Sequence, residues 1–177
     1  MPIHPSAIID PTAEIAEGVH IGPYAVVEDG ARIGPGCSIG SHAIIGSGTI
    51  LGPNNQIFSH AIIGTPSQDR KHRGQTSSVQ VGEGNIFREF ATVNRATGEG
   101  QVTRIGNFCL LMAYTHVAHN CILEDRVELA NATQVGGEVF IGLGAKIGGL
   151  VGIHQQCRIG AYAMVGGCCA LGQDLPP

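Results

Sequence analysis

The sequence contains no tryptophan, and only 5% of its 177 residues are aromatic. Charged residues make up 14%, and ten Lys and Arg against fourteen Asp and Glu leave a net charge of −4. A balance this mild predicts no nucleic-acid partner and no membrane-surface binding. The chain has no run of 18 apolar residues and no signal-peptide pattern, so we expect no integral membrane segment and a cytoplasmic location.

Cys-x-x-Cys pairs are also absent, although the chain has six cysteines. Five of them share one position of a sequence repeat, where cysteine acts as a small apolar residue: Cys37, Cys109, Cys121, Cys157 and Cys169. This placement favours neither a metal centre nor a disulfide framework. We therefore expect no metal and no cofactor.

Glycine is abundant, at 27 residues, which is about twice its average share of about 7%. No Gly-X-Y period exists, so the chain is not collagen-like, and its many aliphatic residues exclude disorder. Because a glycine inside a helix costs about 1 kcal/mol relative to alanine, long helices are not expected. The composition favours an architecture with very frequent tight turns.

A six-residue repeat explains the glycine content. Starting at Ile3 and stepping by six, the chain has 29 positions up to Leu171, and only Asp69, Gln75 and Glu99 are not large and apolar. A small residue follows four positions later, as at Ala25. A period of six fits neither a helix nor a simple strand alternation, but it fits a short strand followed by a corner.

Three such units predict a triangular coil of 18 residues, with the large aliphatic residues inside and glycine supplying the backbone freedom of the corners. Coils stacked about 4.8 Å apart would form a prism of nearly ten coils, about 45 Å long. The pattern resembles the hexapeptide-repeat left-handed parallel β-helix, and the left hand is taken from that resemblance. We therefore expect an all-β solenoid forming a single domain over residues 1–177.

Two segments interrupt the repeat and are predicted to be loops that protrude from the prism. The first, residues 65–78, has no aliphatic residue and clusters Asp69 with basic side chains. The second, residues 96–103, is rich in glycine and polar residues. We expect the first loop to have a function, because long loops in compact domains are uncommon without one.

The histidines are the best candidates for chemistry. Residues 18 apart should lie above one another, which places His119, Gly137 with Glu138, and His154 with Gln155 along one edge on three successive coils. Histidine titrates near neutral pH, so this column is a candidate active site.

Several segments resemble one family, the acyl-[acyl-carrier-protein]–UDP-N-acetylglucosamine O-acyltransferases, which are trimers that begin lipid A biosynthesis. The resemblance covers the whole chain and rests on the order and spacing of these segments: residues 63–71, 88–97, 110–121, 129–131, 165–168 and 173–177.

The resemblance implies roles for individual residues. His119 would be the general base for the sugar 3-hydroxyl, and the N–H of Gly137 would face the oxyanion. Gly167 would leave room for a long acyl chain. The remaining candidates would bind substrate, with the first loop on the sugar and its phosphate and the others on the nucleotide and acyl-pantetheine side: Gln68, Asp69, Lys71, His116, Glu138, His154 and Gln155. The expected partners are acyl carrier protein, UDP-GlcNAc or a related nucleotide sugar, and two further copies in a homotrimer.

The sequence also departs from the family pattern. Asn120 stands where the family often has Asp, and Glu138 stands where it usually has a nucleotide-contacting His. Family members continue past the position of Pro177 into a helical domain, which this sequence lacks. Three alternatives remain open: a related acceptor with a 3-amino group, a γ-carbonic-anhydrase-like zinc protein using His116, His119 and His154, and a scaffold without activity.

Overall fold

The computed structural model describes residues 3–177, and the first two residues of the predicted domain lie outside this range. Within it the chain forms 25 short strands. The first nine are β1 (Ile8–Ile9), β2 (Glu14–Ile15), β3 (His20–Ile21), β4 (Val26–Val27), β5 (Arg32–Ile33), β6 (Ser38–Ile39), β7 (Ile44–Ile45), β8 (Ile50–Leu51) and β9 (Gln56–Ile57). The next eight are β10 (Ile62–Thr65), β11 (Ser78–Val81), β12 (Ile86–Phe87), β13 (Thr92–Asn94), β14 (Val102–Ile105), β15 (Leu110–Leu111), β16 (His116–Val117) and β17 (Ile122–Leu123). The last eight are β18 (Glu128–Leu129), β19 (Gln134–Val135), β20 (Phe140–Ile141), β21 (Lys146–Ile147), β22 (Gly152–Ile153), β23 (Arg158–Ile159), β24 (Met164–Val165) and β25 (Ala170–Leu171).

Every third strand joins the same parallel sheet, so the chain winds around a three-sided prism. Face 1 contains nine strands from β1 to β25, face 2 contains eight from β2 to β23, and face 3 contains eight from β3 to β24. We call the edges of the prism edge 1–2, edge 2–3 and edge 3–1 after the faces they join. Nine strands spaced about 4.8 Å apart give a length of about 40 Å, slightly less than predicted.

The difference arises because the two loops take residues out of the coils. Strands in successive coils are offset by 18 residues, as between Ile44 and Ile62, but the first loop raises the offset to 30, as between Ile62 and Thr92. The second loop raises it to 24, as between Thr92 and His116. The three polar positions of the repeat fall in these extra residues.

The loops themselves run between strands that cross from face 1 to face 2, so both leave the prism at edge 1–2. Residues 66–77 connect β10 to β11, and residues 95–101 connect β13 to β14. The first loop is one residue shorter at each end than the sequence predicts, because Thr65 and Ser78 pair in strands. The second loop ends two residues earlier than predicted, because Val102 and Thr103 pair in β14, and it begins one residue earlier, because β13 ends at Asn94.

The interior is filled as the repeat predicts. The large aliphatic residues form one continuous buried core, for example Ile39 at 2% and Leu111 at 0% exposure. The small residues pack inside the corners, for example Ala25 and Cys121, both at 0%. Each coil therefore buries its apolar side chains against one another and against the coils above and below it.

The predicted role of glycine at the corners is confirmed only in part. Within the described residues, six corner glycines have left-handed φ: Gly18, Gly30, Gly36, Gly48, Gly84 and Gly144. The residues with left-handed φ are mostly not glycine: fifteen of them between residues 3 and 177, such as Asn120 and Glu138, have φ from +55° to +67°. The glycine that follows the aliphatic residue instead allows the next coil to approach. A Cβ on Gly46, for example, would lie 2.3 Å from the carbonyl oxygen of Gly64.

Candidate active site

Edge 1–2 carries a cavity of about 400 Å³ at the place where the first loop folds against the prism. The loop and three successive corners line it: Gln68, Asp69, Lys71, His116, Ala118, His119, Glu138, Gln155 and Gln156. Six of the residues singled out in the first loop and in the histidine column therefore meet at one cavity, together with His116.

His119 occupies the corner between β16 and β17, and its side chain is 14% exposed. Its Nε2 lies 3.9 Å from Oδ2 of Asp69, and its Nδ1 lies 2.9 Å from Oδ1 of Asn120. A separation of 3.9 Å is too long for a hydrogen bond, so Nε2 and the Asp69 carboxylate can both be reached by a bound hydroxyl group.

Asp69 is oriented by its own loop. Its Oδ1 accepts a hydrogen bond of 2.9 Å from the N–H of Lys71, which forms an Asx turn. The N–H of Asp69 donates to the hydroxyl of Ser67 (3.1 Å). The second carboxylate oxygen is left to face His119.

Gly137 lies one coil above His119, against its ring. A Cβ at this position would be 2.4 Å from Nε2 and 2.5 Å from Cε1 of His119. The main chains of the two coils are also bonded here, because the N–H of Glu138 donates to the carbonyl oxygen of His119 (2.9 Å). Only glycine lets the imidazole occupy its observed place.

His116 lies on face 1 beside this cavity. Its Nδ1 is 2.8 Å from the hydroxyl of Thr92, the residue that pairs with it on the neighbouring strand. Burial lowers the pKa of His116, and the nearby His119 lowers it further. His116 therefore favours the neutral, hydrogen-bonding form at the rim of the site.

Glu138 extends from the corner above His119 with φ +62°. Its Oε2 accepts a hydrogen bond of 3.1 Å from Nε2 of Gln156, one coil further along. The cavity thus combines two carboxylates with one lysine, and Gln156 binds the carboxylate that departs from the family pattern.

A second cavity, of about 590 Å³, continues from the first over face 1 and shares His116 and Ala118 with it. His154 lines this cavity rather than the first, together with Gly152, Ala170 and mostly apolar neighbours. Nδ1 of His154 lies 3.1 Å from the carbonyl oxygen of Gln155. An apolar surface therefore extends directly from the histidine column.

Gly167 lies elsewhere in the molecule. It follows β24 at edge 3–1, against the main chain of Gly149, and lines a third cavity of about 340 Å³ with Met112 and Met164. Within one chain the structure does not bring Gly167 together with His119.

Sequence reasoning missed four residues of the site. Ser67, Thr92 and Gln156 hydrogen-bond to candidate residues directly, and Thr97 bonds to Ser67 and to Asn120, the neighbour of His119. The 18-residue offset would have found Gln156 above Glu138. It could not find Thr92 beneath His116, because the second loop changes that offset to 24.

No three His, Cys, Asp or Glu side chains converge as metal ligands within residues 3–177 of the chain. The same residues include no helix long and apolar enough to cross a membrane.

Known proteins with similar sequences share this architecture. The family model for bacterial transferase hexapeptide (six repeats) matches residues 12–47 and 24–59. An acyl-[acyl-carrier-protein]–UDP-N-acetylglucosamine O-acyltransferase of Alkalilimnicola ehrlichii is 51% identical over 176 residues, 99% of this chain and 68% of its own. The enzyme of the same name from Gloeothece citriformis is 50% identical over 113 residues, 64% of this chain and 41% of its own.

The fold of this chain also agrees closely with that of a solved structure. The structure of LpxA from Acinetobacter baumannii superposes with a TM-score of 0.97 at 41% identity, covering 99% of this chain and 68% of that one. The chain therefore spans between about two fifths and two thirds of the length of these relatives. Such a superposition also gives the two prisms the same hand, so the fold is the predicted left-handed parallel β-helix. The chain belongs to the acyl-[acyl-carrier-protein]–UDP-N-acetylglucosamine O-acyltransferase family.

Proposed function

We propose that the chain transfers a 3-hydroxyacyl group from acyl carrier protein to the 3-hydroxyl of UDP-GlcNAc, the first step of lipid A biosynthesis. The observation that carries this proposal is the position of His119. Its Nε2 faces a polar cavity beside Asp69, and Gly137 and an apolar cavity adjoin it. A base, a sugar-binding loop and a surface for an acyl chain thus meet at one edge.

His119 acts as the general base in this reaction. Nε2 removes the proton of the acceptor hydroxyl while that oxygen attacks the thioester carbonyl. The new carbon–oxygen bond forms, the carbon–sulfur bond breaks, and the imidazolium returns the proton to the departing thiolate. No metal or cofactor takes part, since the thioester itself supplies the activated acyl group.

Gly137 supplies the donor for the oxyanion that forms in this step. Its N–H makes no hydrogen bond within residues 3–177, and its Cα lies against the His119 ring. A fixed backbone donor beside the base stabilises negative charge on the tetrahedral intermediate.

The first loop binds the acceptor. The Asp69 carboxylate accepts hydrogen bonds from sugar hydroxyls next to His119, and Lys71 provides the positive charge for a phosphate, with Gln68 beside it. The carboxylate of Glu138, held by Gln156, accepts hydrogen bonds from hydroxyl or N–H groups of the nucleotide. The diphosphate lies away from it, because like charges repel.

The acyl chain and its pantetheine arm lie along the apolar face past His154. Since Gly167 is on another edge, its role in the acyl pocket requires a neighbouring subunit. We therefore propose a homotrimer with each active site between two subunits, working in the cytoplasm, where it meets acyl carrier protein.

The test is a transfer assay with 3-hydroxyacyl carrier protein and UDP-GlcNAc on His119→Ala, with His20→Ala on face 3 as the matched control. We expect a loss of at least about 100-fold for His119→Ala, the lower end of what a general base contributes, and none for the control. Unchanged activity in His119→Ala would show that His119 is not the general base. Transfer by the native chain to a 3-amino acceptor but not to UDP-GlcNAc would show that the acceptor is the 3-amino nucleotide sugar.

Metal analysis of the purified native protein, with assays before and after chelation, separates this mechanism from zinc chemistry. Full activity after chelation is the expected result, whereas activity that depends on stoichiometric zinc would contradict it.

A further inference from the structure

Thr97, in the second loop, connects the two loops to His119. Its N–H donates to Oδ1 of Asn120 (2.8 Å), and its carbonyl oxygen accepts from Nδ2 of Asn120 (3.2 Å). Its hydroxyl lies 2.7 Å from the hydroxyl of Ser67 in the first loop. One residue therefore contacts both the opposite loop and the direct neighbour of His119.

The two main-chain bonds determine which end of the Asn120 carboxamide faces His119. A peptide N–H can only donate and a peptide carbonyl can only accept, so the carboxamide oxygen must point to the N–H of Thr97. The same oxygen lies 2.9 Å from Nδ1 of His119. Because this oxygen can only accept, Nδ1 must carry the hydrogen.

This assignment matters at the other ring nitrogen. A neutral imidazole with hydrogen on Nδ1 has its lone pair on Nε2. Nε2 is the atom that faces Asp69 and the cavity, 3.9 Å from the carboxylate. The second loop therefore holds His119 in the tautomer that can accept a proton from a bound hydroxyl.

We propose that Asn120 and Thr97 are positioning residues: the main chain of Thr97 orients the Asn120 carboxamide, which keeps the lone pair of His119 on Nε2, and Ser67 ties this arrangement to the first loop. The use of that lone pair in catalysis rests on the function proposed above. The assignment of the tautomer is independent of that function.

The corner conformation suits this role. Asn120 has φ +59°, a region that asparagine and aspartate tolerate better than other non-glycine residues. Its own N–H donates to the hydroxyl of Thr103 in β14 (2.9 Å), so this strand holds its main chain while the second loop holds its side chain.

The charged and titratable groups around His119 are Asp69, Lys71, His116 and Glu138, all lining the same cavity. The Nδ1 side, in contrast, faces only the neutral carboxamide. Asn120→Asp would place a carboxylate there, which stabilises the imidazolium, and would remove the donor to the carbonyl oxygen of Thr97.

The decisive measurement is the tautomer of His119 by nitrogen-15 NMR on the whole protein. We expect hydrogen on Nδ1 in the native protein and a shift towards hydrogen on Nε2 in Asn120→Ala. Asn120→Asp should keep hydrogen on Nδ1 and protonate at higher pH. The matched control is Asn54→Ala, at the same corner position on edge 2–3 with φ +57°, which should leave the His119 signals unchanged.

Hydrogen on Nε2 in the native protein, or an unchanged tautomer in Asn120→Ala, would overturn the proposal. Because this readout needs no substrate, a protein that holds the expected tautomer but does not transfer acyl groups would contradict the proposed function alone.

The link to the first loop is tested with two variants: Thr97→Val removes only the shared hydroxyl bond, so it should raise KM for UDP-GlcNAc about 5-fold, the value of one neutral hydrogen bond, with kcat within twofold. Ser67→Ala removes that bond and also the acceptor of the Asp69 N–H, so it should raise KM at least as much. The double variant should be no worse than Ser67→Ala, because Thr97→Val loses only a bond that Ser67→Ala has already lost. If the KM increases of the two single variants multiply in the double variant, the hydroxyl pair does not connect the loops. An unchanged KM in both single variants would show the same.

Discussion

At the scale of single residues, Gly137 differs from most other glycines in what lies against it. Most close approaches of glycine involve the main chain of the next coil, whereas Gly137 contacts the His119 imidazole. In Gly137→Ala the Cβ would be 2.4 Å from Nε2, so the ring must move. Because small displacements of a catalytic group cost about 100-fold in rate, we expect kcat to fall by about that factor.

The control for this prediction is Gly149→Ala, at the same repeat position on edge 3–1, where the Cβ would meet only the carbonyl oxygen of Asn131 at 3.2 Å. Thermal unfolding followed by circular dichroism should show that both variants fold, and only the first should lose activity in the transfer assay. Equal activity of the two variants would mean that the His119 ring does not need its observed place.

His116 gives a prediction for pH. Burial and His119 lower its pKa in the folded protein, so in acid the unfolded chain binds a proton that the folded chain does not. The free energy of unfolding should therefore fall as the pH drops below about 6.5, the ordinary value for histidine. Urea unfolding at pH 7.5 and 5.5 should show a smaller acid loss in His116→Gln than in the native protein, and an equal loss would contradict the assignment.

At the scale of the six-residue element, cysteine is inert where the inside corner position is buried, as it is at four of the five cysteines that share it. Burial raises the pKa of the Cys109 thiol to about 11 and that of Cys121 to about 12. Cys168 and Cys169, in contrast, are exposed beside Gly167.

A thiol reagent should therefore label two cysteines rapidly in the native protein and all six after unfolding, since thiolate and access control reactivity. Cys168→Ser with Cys169→Ser should abolish the rapid phase. Rapid labelling of Cys109 or Cys121, identified by mass spectrometry, would show that the corner is not closed.

The first loop is an element that the prism does not need. Deleting residues 66–77 would bring Ile63 and Val81 six residues apart and restore the repeat, so we expect the coil to close and the protein to fold. The variant loses Asp69 and Lys71, and calorimetry should show no UDP-GlcNAc binding where the native protein is saturated. Native-like thermal unfolding with retained binding would mean that the acceptor lies elsewhere.

At the scale of the whole molecule, the sequence predicts the prism well because its core repeats in one dimension. The stacking of His119 under Gly137 follows from the 18-residue coil alone. The pairing of Thr92 with His116 does not, since loop lengths set that offset, and the bonds of Thr97 depend on the path of an irregular loop. The sequence also does not predict the conformation of the corners, because stacking forces residues such as Tyr114 into φ +62° against their own preference.

The arrangement of the edges gives a final prediction, on how subunits share the site. His119 is on edge 1–2 and Gly167 on edge 3–1, so a site that uses both must take them from two chains. In the proposed homotrimer, the His119→Ala protein should be inactive, and the Gly167→Trp protein should be blocked for long acyl chains. When the two variants are unfolded and refolded together in equal amounts, about one quarter of the sites would combine a native His119 with a native Gly167, as random assembly of a cyclic trimer predicts. Transfer of a long acyl chain should therefore return to about that fraction of the native rate. If both residues came from the same chain, every mixed site would keep one defect and the mixture would stay inactive.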